Sequence, residues 1–185
     1  MLQFVGVNEL FNRFWWAARL LIWGGIVLIL CISVIKYFNF RINQTNSMPK
    51  GLYHFNYNLD IKDGSTVLIG QDTSNPVYMT GVARGYDPYN MDLIKKVIGV
   101  EGDSVKVLNN TVYVHQKHSD KTYKLPCLDH DNKGRKLGCT TFSGVIPKGN
   151  YFVFGESSTS SFDSRYFGMI QQKNIKGDGG LLWGW

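Results

Sequence analysis

The sequence predicts a mainly β, antiparallel domain carried on a single N-terminal transmembrane helix. The first observation behind this prediction is a long apolar run near the N-terminus. The second is that, from residue 52 onwards, short apolar runs alternate with glycine, proline and asparagine turn signals. With 185 residues, of which 44% are hydrophobic and 18% charged, the chain has room for one folded domain and an anchor.

The apolar run is long enough to cross a bilayer. As a helix, residues 14–35 would extend about 33 Å at about 1.5 Å per residue. Trp15, Trp16 and Tyr37 lie near its two ends, as interfacial aromatic side chains do. No small-x-small cleavage site follows, so we expect a retained anchor and not a cleaved signal peptide. The predicted division is a short N-terminus (residues 1–13), an anchor (14–36) and one domain (37–185).

The formal net charge of +6 raises the question of a nucleic-acid partner. The lysines and arginines are spread from Arg13 to Lys176 with no run longer than two, which is typical of a solvated surface or of one facing anionic lipid. We therefore expect no nucleic-acid partner. Positive residues flank both ends of the anchor, so charge alone does not decide its orientation.

The clearest strand pattern is Leu93–Val100, which ends at a Glu-Gly-Asp turn. Ser104–Leu108 and Thr111–His115 follow it and, joined by Asn109-Asn110, predict a hairpin. Weaker strand patterns lie at residues 52–57, 65–69 and 151–154.

Three other segments are less regular. We expect residues 70–91 to form a long loop with a short helix near residues 82–84, and residues 116–144 to form a polar excursion. The C-terminal Gly179–Trp185 has two interpretations, an interfacial segment that dips into a bilayer or a final strand. We favour the strand.

The two cysteines of the polar excursion, Cys127 and Cys139, suit a disulfide if that part of the chain is extracytoplasmic. Together with His115, His118 and His130 they also have spacings within the range of metal ligands. A disulfide would use both thiols, and the loop has no other character of a metal site. We therefore expect no metal and no cofactor.

Ser47 is the candidate nucleophile, since it lies just beyond the anchor on a loop constrained by Pro49 and Gly51. A serine hydroxyl needs a neighbouring group to take its proton, and histidine is the usual one. His54 is too close along the chain to fold back easily, and the other three histidines cluster around the polar excursion. A Ser-His-Asp arrangement stays open but is not favoured.

A lysine is the other possible base, and its pKa would have to fall from about 10.4 towards neutrality, which burial can achieve. Lys95 and Lys96 lie in the apolar Leu93–Val100, on opposite faces of the predicted strand. Both faces are equally apolar, so the alternation does not choose between the two lysines. The structural alternative is an edge strand protected by its lysines.

Three blocks of sequence carry a resemblance to a known family. Thr45–Tyr53 fits the pattern T-x-S-x-P-x-G-x-Y, residues 93–103 resemble a lysine block of the form K-R-V followed by P-G-D, and Ser161–Gly168 resembles S-F-D-S-R-Y-F-G. Ala83–Tyr86 is a weaker match. The chain thus resembles the type I signal peptidases with a Ser/Lys dyad (S26). It is most similar to their TraF-type conjugative branch, because its serine and proline stand one residue closer than in general leader peptidases.

The resemblance implies roles for individual residues. Ser47 would be the nucleophile and Lys95, the first lysine of the pair, the general base. Thr45 and the Ser47 backbone N–H would form the oxyanion hole, and Ser161 would orient the Lys95 amine. Asp163 and Arg165 would be a structural pair near the site.

The resemblance also implies a location, partners and a function. The domain would lie on the extracytoplasmic, periplasmic side of the inner membrane with residues 1–13 in the cytoplasm, a placement that agrees with a Cys127–Cys139 disulfide. The enzyme would remove signal, leader or terminal peptides from exported precursors, with a conjugative pilin as the favoured substrate and cyclisation as a possible outcome. Its partners would be that substrate, the bilayer and other conjugation or type IV secretion components. The alternatives are a general leader peptidase and an inactive assembly component of a conjugation apparatus.

Some positions depart from the family pattern. Lys96 stands where the family usually has arginine, and Glu101 where it usually has proline. The loop before Ser161 reads Gly155-Glu156-Ser157-Ser158 where G-D-N-R is common. These departures put in doubt any role of the side chains concerned, but not the dyad.

Overall fold

The computed structural model describes residues 4–185, which fall into two compact units that divide after Phe40. In the first unit, helix α1 runs over Phe4–Tyr37. Its segment Phe11–Val34 has a mean hydropathy of 2.3 and is long and apolar enough to cross a membrane. The predicted anchor, residues 14–36, lies inside α1, and residues 4–13 of the predicted short N-terminus are helical too. The rest of that N-terminus, residues 1–3, lies outside the described residues, so the predicted division of the chain stays a prediction.

Beyond α1 the described residues form a mainly β, antiparallel structure, as predicted. The strand order is β1-β2-β11-β3-β4-β9-β10 in a seven-stranded sheet and β7-β6-β5-β8 in a four-stranded sheet. In chain order the elements are β1 (Phe40–Asn43), β2 (Gly51–Asn56), β3 (Thr66–Ile69), α2 (Pro76–Ala83), β4 (Leu93–Gly99), β5 (Ser104–Leu108), β6 (Thr111–His115), β7 (Thr122–Pro126), β8 (Gly144–Val145), β9 (Asn150–Phe154), α3 (Ser164–Phe167), β10 (Ile170–Gln171), a 3₁₀ turn (Gln172–Asn174) and β11 (Ile175–Gly184).

Strand β4 is an interior strand, so the alternative of an edge strand is wrong. It pairs with β3, where Val67 lies opposite Lys95, and with β9, where Phe154 lies opposite Lys96. The Lys95 side chain is buried and that of Lys96 only partly so. Packing of the sheet therefore buries Lys95 and leaves Lys96 partly exposed, a difference that the alternation of residues did not predict.

The hairpin predicted around Asn109 and Asn110 is confirmed. Both residues have positive φ angles, 49° and 57°, and they join β5 and β6 in the register Leu108 opposite Thr111. Two central residues with positive φ match the right-handed twist of the flanking strands. The next strand, β7, pairs with β6 within the predicted polar excursion. Its TYKLP sequence is too polar to be recognised as a strand from its pattern alone.

Helix α2 begins earlier than the predicted short helix near residues 82–84. The Asn75 side chain accepts hydrogen bonds from the backbone N–H groups of Val77 and Tyr78, and Pro76 follows as the first helical residue. Asparagine before proline is a loop signal, but it is also a favourable helix start. Gly81 brings α2 close to the segment before α3, because a Cβ there would overlap the Phe162 ring.

The C-terminal segment forms strand β11, which confirms the prediction of a final strand. It pairs with β2 and β3 in the middle of the seven-stranded sheet. At Gly179 the backbones of β11 and β2 approach so closely that a Cβ would overlap the His54 carbonyl oxygen. Strand β11 thus pairs with β2, the strand that follows the loop carrying Ser47.

Candidate active site

Ser47 lies in the turn between β1 and β2, and the side chain of Asn43 organises that turn. Asn43 is 4% exposed and stands at the end of β1. Its Oδ1 accepts from the Thr45 backbone N–H at 3.1 Å, and its Nδ2 donates to the carbonyl oxygens of Met48 and Pro49, each at 3.0 Å. One buried amide therefore holds the backbone on both sides of Ser47. This role of Asn43 was not predicted from the sequence, although an asparagine two residues before a threonine is a common side-chain turn signal.

The hydroxyl groups of Thr45 and Ser47 are in contact, and their hydrogens can be assigned from their partners. Thr45 Oγ1 donates to Asn43 Oδ1 at 2.7 Å and lies 3.2 Å from Ser47 Oγ. A hydroxyl has a single hydrogen. Because Thr45 gives its hydrogen to Asn43, the Ser47 hydroxyl is the donor in the contact between them. The predicted oxyanion role of Thr45 thus requires its hydroxyl to turn away from Asn43.

The structure explains the glycine and the tyrosine of the serine block, Gly51 and Tyr53. Tyr53 is buried and its hydroxyl donates to the Pro49 carbonyl oxygen at 2.7 Å, so it supports the turn from below. At Gly51 a Cβ would overlap the carbonyl oxygen of Trp183 in β11. The glycine and tyrosine that follow the serine therefore fit the turn against the sheet.

Lys95 is buried, with 2% of its surface exposed, and its Nζ donates to Ser161 Oγ at 2.9 Å. Burial lowers the pKa of the Lys95 amine, and the Arg165 guanidinium adds to this, while the Asp87 and Asp163 carboxylates oppose it. The net direction is towards the neutral amine, which is the form that a general base requires.

Asp163 and Arg165 form a buried ion pair behind Ser161. Arg165 Nε donates to Asp163 Oδ1 at 2.9 Å and Nη2 donates to Oδ2 at 3.0 Å, with both side chains at most 1% exposed. Arg165 Nη2 also donates to the Ser161 carbonyl oxygen at 2.8 Å, and Asp163 Oδ2 accepts from the Gly155 N–H at 3.1 Å. This bidentate pair fixes the backbone that carries Ser161.

Four of the predicted site residues line one cleft of about 950 Å³, namely Thr45, Ser47, Lys95 and Ser161. Among the described residues that line it there is no histidine, so the structure does not favour a Ser-His-Asp arrangement. The hydrogen bonds described for the Lys95 amine and the Ser47 hydroxyl go to Ser161 and Thr45. The serine and the lysine thus open into the same space, each oriented by its own partner.

Two of the departures from the family pattern pair with one another. Lys96 Nζ lies 2.6 Å from Glu156 Oε2, and both side chains are about one-third exposed. The lysine in place of arginine and the glutamate in the following loop therefore pair at the protein surface. Surface pairs contribute little stability, about 0–1 kcal/mol.

Cys127 and Cys139 are joined by a disulfide, with their Cα atoms 5.8 Å apart. The residues beside them contact the segment behind Ser161, since Arg165 Nη1 donates to the Pro126 carbonyl at 3.1 Å and the Thr140 N–H donates to the Arg165 carbonyl at 2.6 Å. The residues that flank the disulfide therefore support the ion pair, and the loop that it closes is part of the cleft lining.

The comparisons with known proteins agree with one another. A family model described as "Signal peptidase, peptidase S26" matches residues 13–185. Signal peptidase I V of Bacillus subtilis (strain 168) is 25% identical over 173 residues, which cover 90% of this chain and 95% of the relative. Signal peptidase IB of Staphylococcus aureus (strain Mu50) is 37% identical over 131 residues, which cover 63% of this chain and 67% of the relative. The crystal structure of a signal peptidase I from Enterococcus faecalis V583 overlaps 64% of this chain and 96% of its own, with a TM-score of 0.37 and 20% identity, which is too loose to add to these matches.

Proposed function

We propose that this chain, which belongs to the signal peptidase family of serine endopeptidases (peptidase S26), cleaves exported precursor proteins. In this proposal Ser47 is the nucleophile and Lys95 is the general base. One observation carries this assignment of roles. The Lys95 amine is buried, its pKa is lowered by that burial, and Ser161 holds it at the cleft into which Ser47 opens.

The reaction is an acyl transfer. The neutral Lys95 amine takes the proton of the Ser47 hydroxyl as the oxygen attacks the scissile carbonyl carbon, and it then gives that proton to the leaving amine. An acyl-enzyme on Ser47 results. Water, deprotonated in turn by Lys95, releases the second product.

The oxyanion would be stabilised by the Ser47 backbone N–H and the Thr45 hydroxyl. Once Ser47 has lost its proton, Thr45 no longer accepts a hydrogen bond from it. The Thr45 hydroxyl can then rotate from Asn43 towards the developing negative charge. A donor at such a position is typically worth about 2.7–4 kcal/mol of transition-state stabilisation.

The substrate would bind as an extended strand. Strand β1 (Phe40–Asn43) is at one edge of the seven-stranded sheet and leads into the Ser47 turn, so a peptide that pairs with this edge would bring its backbone to the nucleophile. The anchor would keep enzyme and membrane-borne precursor in the same bilayer, which raises their effective concentration.

The proposed location is a single-pass membrane protein with its domain on the extracytoplasmic, periplasmic side of the inner membrane. The span Phe11–Val34 supports the anchor. The disulfide between Cys127 and Cys139 supports the side, because such bonds persist in oxidising compartments.

Two substrate classes have separate support. The short spacing between Ser47 and Pro49 favours a conjugative pilin precursor, with release by water or by cyclisation, in company with other conjugation components. The relatives named signal peptidase I favour a general leader peptidase. Co-expression of the chain with a pilin precursor and with an ordinary secreted precursor, followed by intact-mass measurement of both, separates the two classes.

The test of the catalytic assignment uses the same assay. We expect Ser47→Ala to abolish cleavage of whichever precursor the wild-type chain processes, while the folded protein still accumulates in the membrane. Cleavage by purified Ser47→Ala at the wild-type rate would remove the serine peptidase mechanism. A wild-type chain that cleaves neither precursor would favour the inactive assembly component.

A further inference from the structure

A buried carboxylate, that of Asp87, lines the cleft and takes no part in the mechanism above. Asp87 is 8% exposed, lines the same cleft as Lys95, and its Oδ2 has no hydrogen-bond partner among the described residues. Buried carboxylate oxygens are normally hydrogen-bonded or paired, because a charge taken out of water is costly. An unpartnered buried oxygen at the cleft therefore calls for a functional explanation.

The backbone around Asp87 is held from several sides. The N–H of Tyr86 donates to the Gly81 carbonyl at 2.9 Å, and the Tyr86 hydroxyl donates to Asp131 Oδ2 at 2.6 Å. On the other side, Gln71 Nε2 donates to the Pro88 carbonyl at 3.2 Å. Asp87 is thus fixed in position by its neighbours, although its own Oδ2 is not engaged.

The two carboxylates that act on Lys95, those of Asp163 and Asp87, differ in whether a positive partner offsets their charge. Asp163 is paired with Arg165 through two hydrogen bonds, so its charge is largely offset. Asp87 has no comparable ion pair among the described residues. It is also the carboxylate that acts most strongly on the Lys95 amine.

Two charges act on the Asp87 carboxylate besides its burial. Burial raises the pKa of Asp87 to about 6, the Lys95 charge acts in the opposite direction, and the Asp163 charge raises it further. The phenol of Tyr78 faces the same carboxylate together with those of Asp92 and Asp72, and its pKa is raised to about 12 by burial and by these charges, so it stays neutral.

We propose that Asp87 is a positioning residue of this site, whose carboxylate charge favours the protonated form of Lys95 and thereby sets the pH at which the amine is free to accept the Ser47 proton. The proposal rests on Lys95 being the base of the proposed peptidase. A nearby anion stabilises a protonated amine, so an ionised Asp87 makes Lys95 a stronger base that is neutral only at higher pH. Burial acts in the opposite sense, and the working pH of the enzyme reflects the balance of the two.

The first test is the pH dependence of kcat/KM for the full chain in detergent, measured with an exported precursor that the wild-type enzyme cleaves. Asp87→Asn removes the charge with little change of shape, so we expect the acid limb to move to lower pH. Suppose that the midpoint of the acid limb moves down by about one pH unit. At a pH one unit below the wild-type midpoint, the variant then keeps a fraction of its plateau kcat/KM that is about five-fold larger than the fraction kept by the wild type. An unchanged acid limb, or one that moves to higher pH, would overturn the proposal.

Asp92→Asn is the matched control. Asp92 lines the same cleft, but its Oδ1 is paired with Lys176 Nζ at 2.6 Å and its charge is not among those that act on Lys95. We expect its acid limb to match that of the wild type. An equal shift in both variants would show a general effect of cleft charge and would contradict a specific role of Asp87.

A second measurement does not depend on cleavage. NMR titration of side-chain-labelled lysine, with the Lys95 signal assigned from Lys95→Met, should show a lower pKa for Lys95 in Asp87→Asn than in the wild type. This result would hold even if Ser47→Ala kept full activity, which is the outcome that would remove the proposed function itself. An unchanged Lys95 titration would overturn the role of Asp87 alone.

Discussion

The serine and the lysine of the proposed dyad are held in different ways. Ser47 is held mainly by its immediate neighbours, since Asn43 reaches the backbone from Thr45 to Pro49 with one side chain. One long-range hydrogen bond adds to this, from the Ser157 N–H to the Ser47 carbonyl oxygen at 3.1 Å. Lys95 is held by distant parts of the chain, since β4 pairs with β3 and β9 and its amine bonds to Ser161, 66 residues away. The position of the nucleophile thus depends mainly on local contacts, whereas the chemistry of the base depends on strands and loops from distant parts of the chain.

The largest expected effect concerns the two faces of β4. Lys95→Met fills the buried site with an apolar side chain of similar length but removes the amine that acts as the base. We therefore expect kcat/KM to fall by about 1,000-fold or more, with little loss of stability. Precursor cleavage and thermal unfolding of the purified chain measure the two quantities.

Lys96→Met is the control for this change, because Lys96 pairs with Glu156 at the surface and has the same side-chain chemistry. We expect less than about 1 kcal/mol of destabilisation and near-normal cleavage. Loss of activity in Lys96→Met with retention in Lys95→Met would reverse the assignment of the base.

The next effect tests the long-range support of the lysine. Arg165→Ala leaves the Asp163 carboxylate buried without its partner, so we expect a loss of about 3–5 kcal/mol in the free energy of unfolding. Urea unfolding at neutral pH measures it. The double variant with Asp163→Ala removes the orphaned charge, and we expect it to recover part of the loss. No difference between the single and double variants would contradict the role assigned to the pair.

The smallest expected effect tests the local support of the serine. Asn43→Ala removes the hydrogen bonds to the Ser47 turn, and because small displacements of a nucleophile are costly, we expect a fall of about 10- to 100-fold in kcat/KM. Asn43→Asp is the matched variant, since it keeps the acceptor for Thr45 but loses the donor to the Met48 and Pro49 carbonyls. If both variants cleave at the wild-type rate, the turn holds its shape without Asn43 and the contrast between the two halves of the dyad is wrong.

Several elements were predictable because their signals are local. The hairpin at Asn109-Asn110 depends on two adjacent residues that tolerate positive φ angles. Strand β4 was recognisable from its apolar run, although its central place in the sheet was not. Helix α2 was placed too late along the chain because Asn75-Pro76 is both a loop signal and a helix start, and only the packing of Gly81 against Phe162 shows which applies.

In the candidate site, too, some features could be predicted from the sequence and others only from the packing. Ser47, Lys95 and Ser161 were identified through the resemblance of three separate blocks to a family, not through their pattern alone. Their catalytic roles stay predictions, although the structure brings them to one cleft. Asn43 and Asp87 were missed, because an asparagine before a turn and an aspartate in a loop are common on protein surfaces, and only burial gives them significance.

The sequence by itself determined the apolar segment, the β character of the domain and the presence of a constrained loop at Ser47, because the signals for each lie in residues close together in the chain. Only the tertiary structure decided which lysine is buried, which carboxylates act on it and how Arg165 offsets one of them. The physical reason is that the pKa of a buried amine depends on solvent exclusion and on charges within a few ångströms. Around Lys95 both are supplied by strands and loops from distant parts of the sequence.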